Sequence, residues 1–341
     1  MAELGWMGIM FPEEYDGIGG DFVDLTVVLE EMGRALLTGP FIPTVVFGGT
    51  ALLRAGTVEQ KKKFLPPIIR GEMEVAIGYS EPEAGSDLAS LKTSAVRQGD
   101  EYIINGQKVF TSCAHYADSL WLAALTDPKA PKHKGISVFM IPMNHPGITI
   151  KPMYLVGGER LNSTFLDDVR VPKAWLIGEE NKGWKYITTQ LDFERVAISP
   201  SGSMRRNIED VTRWAKETKV DGRTVFDRPE VRRRLAELSV EVEVLRMLNF
   251  YVAWMVQSGK VPFAEASAVK VWGSELRNRV NGSLLEILGQ FGQLQKDSKW
   301  APLRGRIEHA YRFDVIFTFG GGAVEIQRDI IAQAGLGLPR V

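Results

Sequence analysis

Between Val231 and Val256 apolar residues recur at three- and four-residue steps: Val231, Leu235, Leu238, Val242, Leu245, Leu248, Val252 and Val256. That is the repeat of one face of an α-helix. Asp227-Arg228-Pro229 ahead of it supplies an N-cap and a proline for the first turn, and Gly259 supplies a stop. A helix of roughly 28 residues is too long for a small globule and needs other long helices to cover it, which points to a bundle. A second apolar helix is expected over 262–288, followed by two shorter ones.

Upstream the texture differs. Residues 1–73 read as helical, with an apolar period from Val23 to Leu37 after a loop punctuated by Pro12, Gly17, Gly19 and Gly20. Thr57-Val58-Glu59-Gln60 is a capping box, and the helix that it opens is expected to end before Pro66-Pro67. From Met73 short apolar runs take over: Val75-Ala76-Ile77, Tyr102-Ile103-Ile104, Leu120-Trp121-Leu122 and Ile136-Ser137-Val138-Phe139. Gly99-Asp100 and Asn105-Gly106 both read as turns between them, which argues for a compact β-barrel or sandwich. The order is α+β in three pieces: an N-terminal helical domain (1–73), a middle β domain (74–182) and a C-terminal helical domain (183–341).

The 41 basic and 42 acidic residues leave a net charge of −1, so electrostatics give no case for nucleic acid or an anionic membrane. No apolar run reaches the ~18 residues of a spanning helix, and no secretory signal opens the chain. The expectation is a soluble cytoplasmic protein. The one cysteine, Cys113, excludes an internal disulfide and reads as a small buried apolar residue; no His or Cys cluster calls for a metal.

Two segments carry a resemblance. Tyr79-Ser80-Glu81-Pro82-Glu83-Ala84-Gly85-Ser86-Asp87 resembles the E-P-x-A-G-S-D signature of acyl-CoA dehydrogenases. Asn105-Gly106-Gln107-Lys108-Val109-Phe110-Thr111-Ser112 resembles that family's second signature, and the likeness extends over essentially the whole chain. The family usually has one or two more helices at its N-terminus, so this chain is expected to begin late in that domain. The resemblance implies the three-domain fold with a C-terminal four-helix bundle. It also implies FAD as cofactor and a reaction that takes an α-proton and a β-hydride from an acyl-CoA thioester. By the same resemblance, Tyr79 and Ser80 contact the flavin's pyrimidine side, Phe110 covers the ring, Ser112 bonds near N5, and Ser86 contacts the thioester arm. Taken alone, Ser80 and Ser112 would be strand-end hydroxyls and Phe110 core packing.

The family's commonest catalytic base lies in a Y-E-G-T segment near the C-terminus. The matching segment here is Phe319-Gly320-Gly321-Gly322, so Gly320 stands where that glutamate would be. A minority of the family places its base just before an arginine in L-D-x-E-R, and this chain has Leu191-Asp192-Phe193-Glu194-Arg195. The resemblance therefore makes Glu194 the base, with a raised pKa beside a ring and an apolar acyl chain. Without it, Glu194 is a solvated carboxylate in the first turn of a helix. Arg195 resembles a family arginine that helps order this helix start and the CoA arm, with Asp192 also expected at the substrate; alternatively Arg195 forms an ordinary ion pair with Asp192 or Glu194. Gly320 or Gly321 has a backbone N–H to offer the thioester oxygen. The triple glycine lacks the G-x-x-x-x-G-K-S/T pattern of a nucleotide loop.

Two departures bear on the cofactor. The family's Q-x-x-G-G motif, which meets the flavin's dinucleotide across a subunit boundary, appears as Glu286-Ile287-Leu288-Gly289-Gln290. Its R-x-x-F-G segment appears as Arg223-Thr224-Val225-Phe226-Asp227. Acidic residues facing a pyrophosphate are unfavourable, which suggests FAD shared with a partner chain of different sequence. The pattern resembles the branch that forms α2β2 heterotetramers on steroid side-chain CoA thioesters; a homo-oligomeric dimer or tetramer remains open. Electron-transfer flavoprotein is the expected electron acceptor. The alternative is a flavin-sharing or scaffolding subunit without its own turnover, with an oxygen-reducing oxidase as a smaller possibility.

Overall fold

The structure, a computed structural model, describes residues 1–197 and 200–339; of residues 192–197 it describes the helical backbone and not the side chains. In chain order the helices are α1 (Phe22–Arg34), α2 (Thr50–Ala55), α3 (Val58–Ile69), α4 (Gly183–Ala197), α5 (Gly202–Glu217), α6 (Pro229–Gln257), α7 (Phe263–Leu288), α8 (Arg306–Phe313) and α9 (Val324–Ile330). The strands are β1 (Val75–Gly78), β2 (Ser94–Gln98), β3 (Glu101–Lys108), β4 (Ser119–Leu125), β5 (Ile136–Pro142), β6 (Ile148–Tyr154) and β7 (Arg160–Pro172), with a minimal hairpin of β8 (Lys219–Val220) and β9 (Arg223–Thr224). Contacts gather into two compact units: residues 1–21, 39–155 and 159–194, and residues 22–38, 156–158 and 195–341.

The first unit is built on a curled sheet in the order β1-β4-β2-β3-β7-β6, with β5 also on β4. β1 runs parallel to β4, Val75 opposite Ser119 and Gly78 opposite Leu122, whereas β2–β3, β3–β7, β4–β5 and β6–β7 are antiparallel. Tyr102, Ile104, Leu120, Leu122, Phe139, Ile141, Val169 and Val171 close its core. All four apolar runs expected as strands lie in strands.

Two expectations fail here. Asn105-Gly106 is not a turn; it lies within β3 at a bulge, where the register against β7 shifts between Ile104 and Gly106. Asn105 Nδ2 donates to Asp168 Oδ1 (3.0 Å) and Asn105 Oδ1 accepts from Asp168 N (2.8 Å), so the side chain caps the bulge instead of a hairpin. Gly106, at φ 154, is needed because a Cβ there would lie 2.5 Å from Thr93 Oγ1. Gly99-Asp100 does join β2 to β3. The second failure is α3, which runs through Pro66 and Pro67 to Ile69. Both prolines fall in the last turn, so only the bonds to two carbonyls are lost, while buried Leu65, Ile68 and Ile69 hold that turn in place. The expected capping box is present: Gln60 N donates to Thr57 Oγ1 (3.3 Å) and Thr57 N to Gln60 Oε1 (3.0 Å).

The second unit packs α1 on α5 and α6, and α7 against α5, α6, α8 and α9. α1 ends at Arg34 instead of reaching Leu37, with Leu36 in the left-handed region (φ 54). α6 runs to Gln257, but its N-cap is Arg228. Asp227 turns back to accept from Thr224 N (2.9 Å), which removes it from the cap position expected for it. α1 and α5 approach closely at Gly202, where a Cβ would stand 1.9 Å from Glu30 O. Beside that contact the buried Glu30 carboxylate accepts from Ser201 N (3.1 Å) and Ser201 Oγ (2.7 Å).

Candidate active site

The two signature segments follow β1 and the end of β3, strands that are not adjacent in the sheet, and Val109 N donates to Ser80 O (2.8 Å) between them. Behind that contact is an ion pair that sequence reading passed over. Lys108 Nζ lies 2.7 Å from Glu81 Oε1, and the two side chains are 0% and 6% exposed. Such a pair is tolerated only when its remaining hydrogen-bonding capacity is filled. Here Glu81 also accepts from Lys92 N (2.6 Å) and Thr93 N (2.9 Å), and Lys108 also donates to Tyr79 O (3.1 Å). Burial alone would raise the Glu81 carboxyl, but the Lys108 charge and the hydrogen bonds from Lys108, Thr93 and Lys92 outweigh it and hold the group below its ordinary range. For Lys108, burial prevails over the Glu81 charge and draws the ammonium down to about 8. The signal available was a lysine and a glutamate each standing inside a signature segment, since charged side chains are seldom buried unless paired.

The second segment then turns sharply. Phe110 takes a left-handed backbone (φ 57) and leaves its ring 55% exposed. The turn is clamped by Asn162 on β7: Thr111 N donates to Asn162 O (2.9 Å), and Asn162 Nδ2 donates to Thr111 O (2.9 Å). Asn162 is fully buried and also accepts from Arg160 Nε (3.0 Å). Ser112 is exposed, and Thr111 Oγ1 is buried without a partner among the described residues. Cys113, expected in the core, is only half-buried at φ 65, with Tyr116 Oη donating to its sulfur (2.8 Å). The chain must reverse at this point, and that lifts the thiol out of the sheet interior.

In the first segment Tyr79 is buried and Ser80 half-buried, while Ser86 is exposed on the following turn. The Tyr79 hydroxyl accepts from Trp121 Nε1 (2.8 Å) and donates to Gln190 Oε1 on α4. α4 therefore packs directly on the first signature. The Asp192, Glu194 and Arg195 side chains lie outside those described, but the Glu194 backbone position is clear: it is in the last turn of α4. A carboxylate there gains nothing from the helix dipole, which removes the first-turn explanation of this residue.

In the second unit, Gly320 N donates to Ile316 O (2.7 Å). Gly320 O accepts from the fully buried Lys270 (2.6 Å), which also holds Phe317 O (2.5 Å). Gly321 and Gly322 are left-handed, at φ 72 and 99. Glu286 and Gly289 are exposed at the C-terminal end of α7.

The chain matches the acyl-CoA dehydrogenase N-terminal domain over residues 1–72, the middle domain over 76–169 and the C-terminal domain over 181–336. The chain belongs to the acyl-CoA dehydrogenase family. The acyl-CoA dehydrogenase FadE26 of Mycobacterium tuberculosis is 42% identical over all of this chain and 86% of its own length. A solved structure described as the Tcur3481-Tcur3483 steroid ACAD covers the whole chain and 87% of its own, at 44% identity and a TM-score of 0.94. The ChsE4-ChsE5 complex from Mycobacterium tuberculosis does so at 43% identity, 88% of its own chain and a TM-score of 0.93. The chain is thus an oxidoreductase of the acyl-CoA dehydrogenase type, and the family's members are FAD-dependent flavoproteins with the three-domain α+β fold.

The residues present fit the ring of that flavin better than its dinucleotide. An exposed aromatic face at Phe110 and the exposed Ser112 two residues on suit a flat, polar-edged ring, whereas Thr111 between them is buried. Glu286 and Gly289 instead occupy a helix C-terminus, whose carbonyls and carboxylate both oppose a pyrophosphate. Asp227 is engaged with Thr224, and its carboxyl is held below its ordinary range by those hydrogen bonds. Among the described residues no helix is long and apolar enough to cross a membrane.

Proposed function

We propose that this acyl-CoA dehydrogenase removes the α-proton of its acyl-CoA with Glu194, while the β-hydride leaves to the flavin. The observation that carries the reading is the anchoring of α4. Gln190, one turn before Glu194, is bonded to Tyr79 of the first signature, so the Glu194 position belongs to the same packed unit as the flavin-facing segments. The segment that carries the base in the commonest family pattern offers only Gly320, which has no proton acceptor in a side chain. FAD, when bound, supplies the two-electron acceptor facing the β-carbon. Of this chain's residues, Tyr79, Ser80, Phe110 and Ser112 hold and orient the ring. Ser86, Asp192 and Arg195 order the CoA arm, and the Gly321 N–H meets the thioester oxygen as negative charge develops on it.

The misfit at Glu286 and Gly289 favours a heteromeric assembly in which a partner chain serves the dinucleotide. The relatives described as a steroid ACAD and as a two-protein complex support that reading and a bulky acyl group. Electrons would pass to an electron-transfer flavoprotein in the cytoplasm. The deciding experiment is anaerobic bleaching of the flavin by a panel of acyl-CoAs, comparing wild type with Glu194→Gln. Wild type bleaches and the variant does not if Glu194 is the base; full bleaching by the variant overturns the assignment. The same misfit supports a second reading, a flavin-sharing subunit without turnover. Its signature is a protein that stays oxidised with every thioester even when loaded with FAD alongside its partner.

A further inference from the structure

Tyr79 is held at both ends before it reaches α4. Its carbonyl accepts from the buried Lys108 (3.1 Å), and its hydroxyl accepts from Trp121 Nε1 (2.8 Å), on an indole that is 0% exposed. The phenol oxygen is thus engaged as an acceptor, and its hydrogen remains to be given. It goes to Gln190 Oε1. Gln190 is 1% exposed, and its Nε2 is buried with no partner among the described residues. A buried amide with its donor half unused costs stability that an apolar side chain of similar size would not. The contact with Tyr79 is what this glutamine supplies in return. Residues four apart share a helix face, and Glu194 is four on from Gln190.

We propose that Gln190 is a positioning residue for the base: its bond to Tyr79 fixes the rotation of α4 about its own axis, and with it the place of Glu194. This rests on the reading of Glu194 as base. One chain of contacts then runs from the Glu81–Lys108 pair through Tyr79 to the helix that carries the carboxylate, so the flavin-facing segments and the base share one register. A helix free to turn by a few degrees would move a side-chain terminus by ~1 Å, a displacement worth on the order of a hundredfold in rate.

The test uses the FAD-loaded protein, with its partner chain where loading requires one, and an acyl-CoA that bleaches the wild-type flavin. Gln190→Leu and Tyr79→Phe are each expected to slow flavin reduction about 10- to 100-fold, with KM within about threefold; Gln190→Leu should keep FAD content close to wild type, whereas Tyr79→Phe also strands the buried Trp121 Nε1 and should lower Tm. The double variant should be no slower than the slower single one, because both remove the same bond. Amide exchange along residues 187–197 should accelerate in Tyr79→Phe while that along α5 does not, a readout that needs neither flavin nor substrate. Wild-type rates in Gln190→Leu, losses that multiply in the double variant, or unchanged exchange along α4 would each overturn the proposal. Full reduction by Glu194→Gln would remove the base and with it Gln190's catalytic role, whereas accelerated exchange would still establish the bond as what holds α4.

Discussion

At the scale of single residues, the Glu81–Lys108 pair is where one side chain decides most. Replacing Lys108 by Met leaves a buried carboxylate with two backbone donors and no counter-charge, which should cost about 3–5 kcal/mol. Urea unfolding would measure that loss. The double replacement Glu81→Gln with Lys108→Met should recover a large part of it, since no charge is then stranded. The pair also fixes the sign of the acid response. Glu81 has a folded-state pKa below its unfolded value, so its contribution is fully present above the ordinary carboxylate range and is lost as pH falls through the folded value. Thermal melts of wild type should therefore drop more steeply below about pH 4.5 than those of Glu81→Gln. Parallel slopes would show that the acid response arises elsewhere. The family signatures could be read from the sequence, but not the bond inside them: Glu81 and Lys108 both stood in the motifs, and only the fold shows that they are joined.

At the scale of elements, periodicity and capping were legible wherever local forces decide. The strand runs, the Thr57 capping box and the long α6 all follow from patterns within a few residues. Where partners far along the chain decide, local signals misled. Asn105-Gly106 has hairpin chemistry, yet Asp168 on β7 recruits it into a bulge; Pro66-Pro67 has breaker chemistry, yet buried neighbours carry α3 past it. Neither the parallel pairing of β1 with β4 nor the anchoring of α4 on Tyr79 leaves any mark in local sequence. Glycines show the same division. In α5, Gly202→Ala would drive a methyl into Glu30 O and should destabilise by on the order of 3 kcal/mol. In α7, an added Cβ at Gly282 meets only Tyr311 at 3.7 Å, so Gly282→Ala should stabilise by about 0.5–1 kcal/mol. Chemical melts of the two variants, run side by side, would separate a crossing glycine from an incidental one.

At the scale of the whole molecule, α6 presents a second apolar stripe that the sequence period did not single out. Val240, Val244, Met247, Tyr251 and Trp254 are between 44% and 65% exposed, at three- and four-residue steps on the side away from Val231, Leu235, Leu238 and Val242. A contiguous face of this kind is what an obligate oligomer covers. Met247→Lys should shift the assembly towards smaller species by light scattering and lower its FAD content if the dinucleotide is shared between chains; an unchanged mass would place the interface elsewhere. The buried ion pair has a consequence in time as well as in energy. Its members belong to segments 27 positions apart, and neither can leave water without the other. The pair can form only once the segments after β1 and at the end of β3 have met, so the two groups lose their water in one step. If that step limits folding, stopped-flow refolding should be faster for Glu81→Gln with Lys108→Met than for wild type; equal refolding rates would place the step after the barrier.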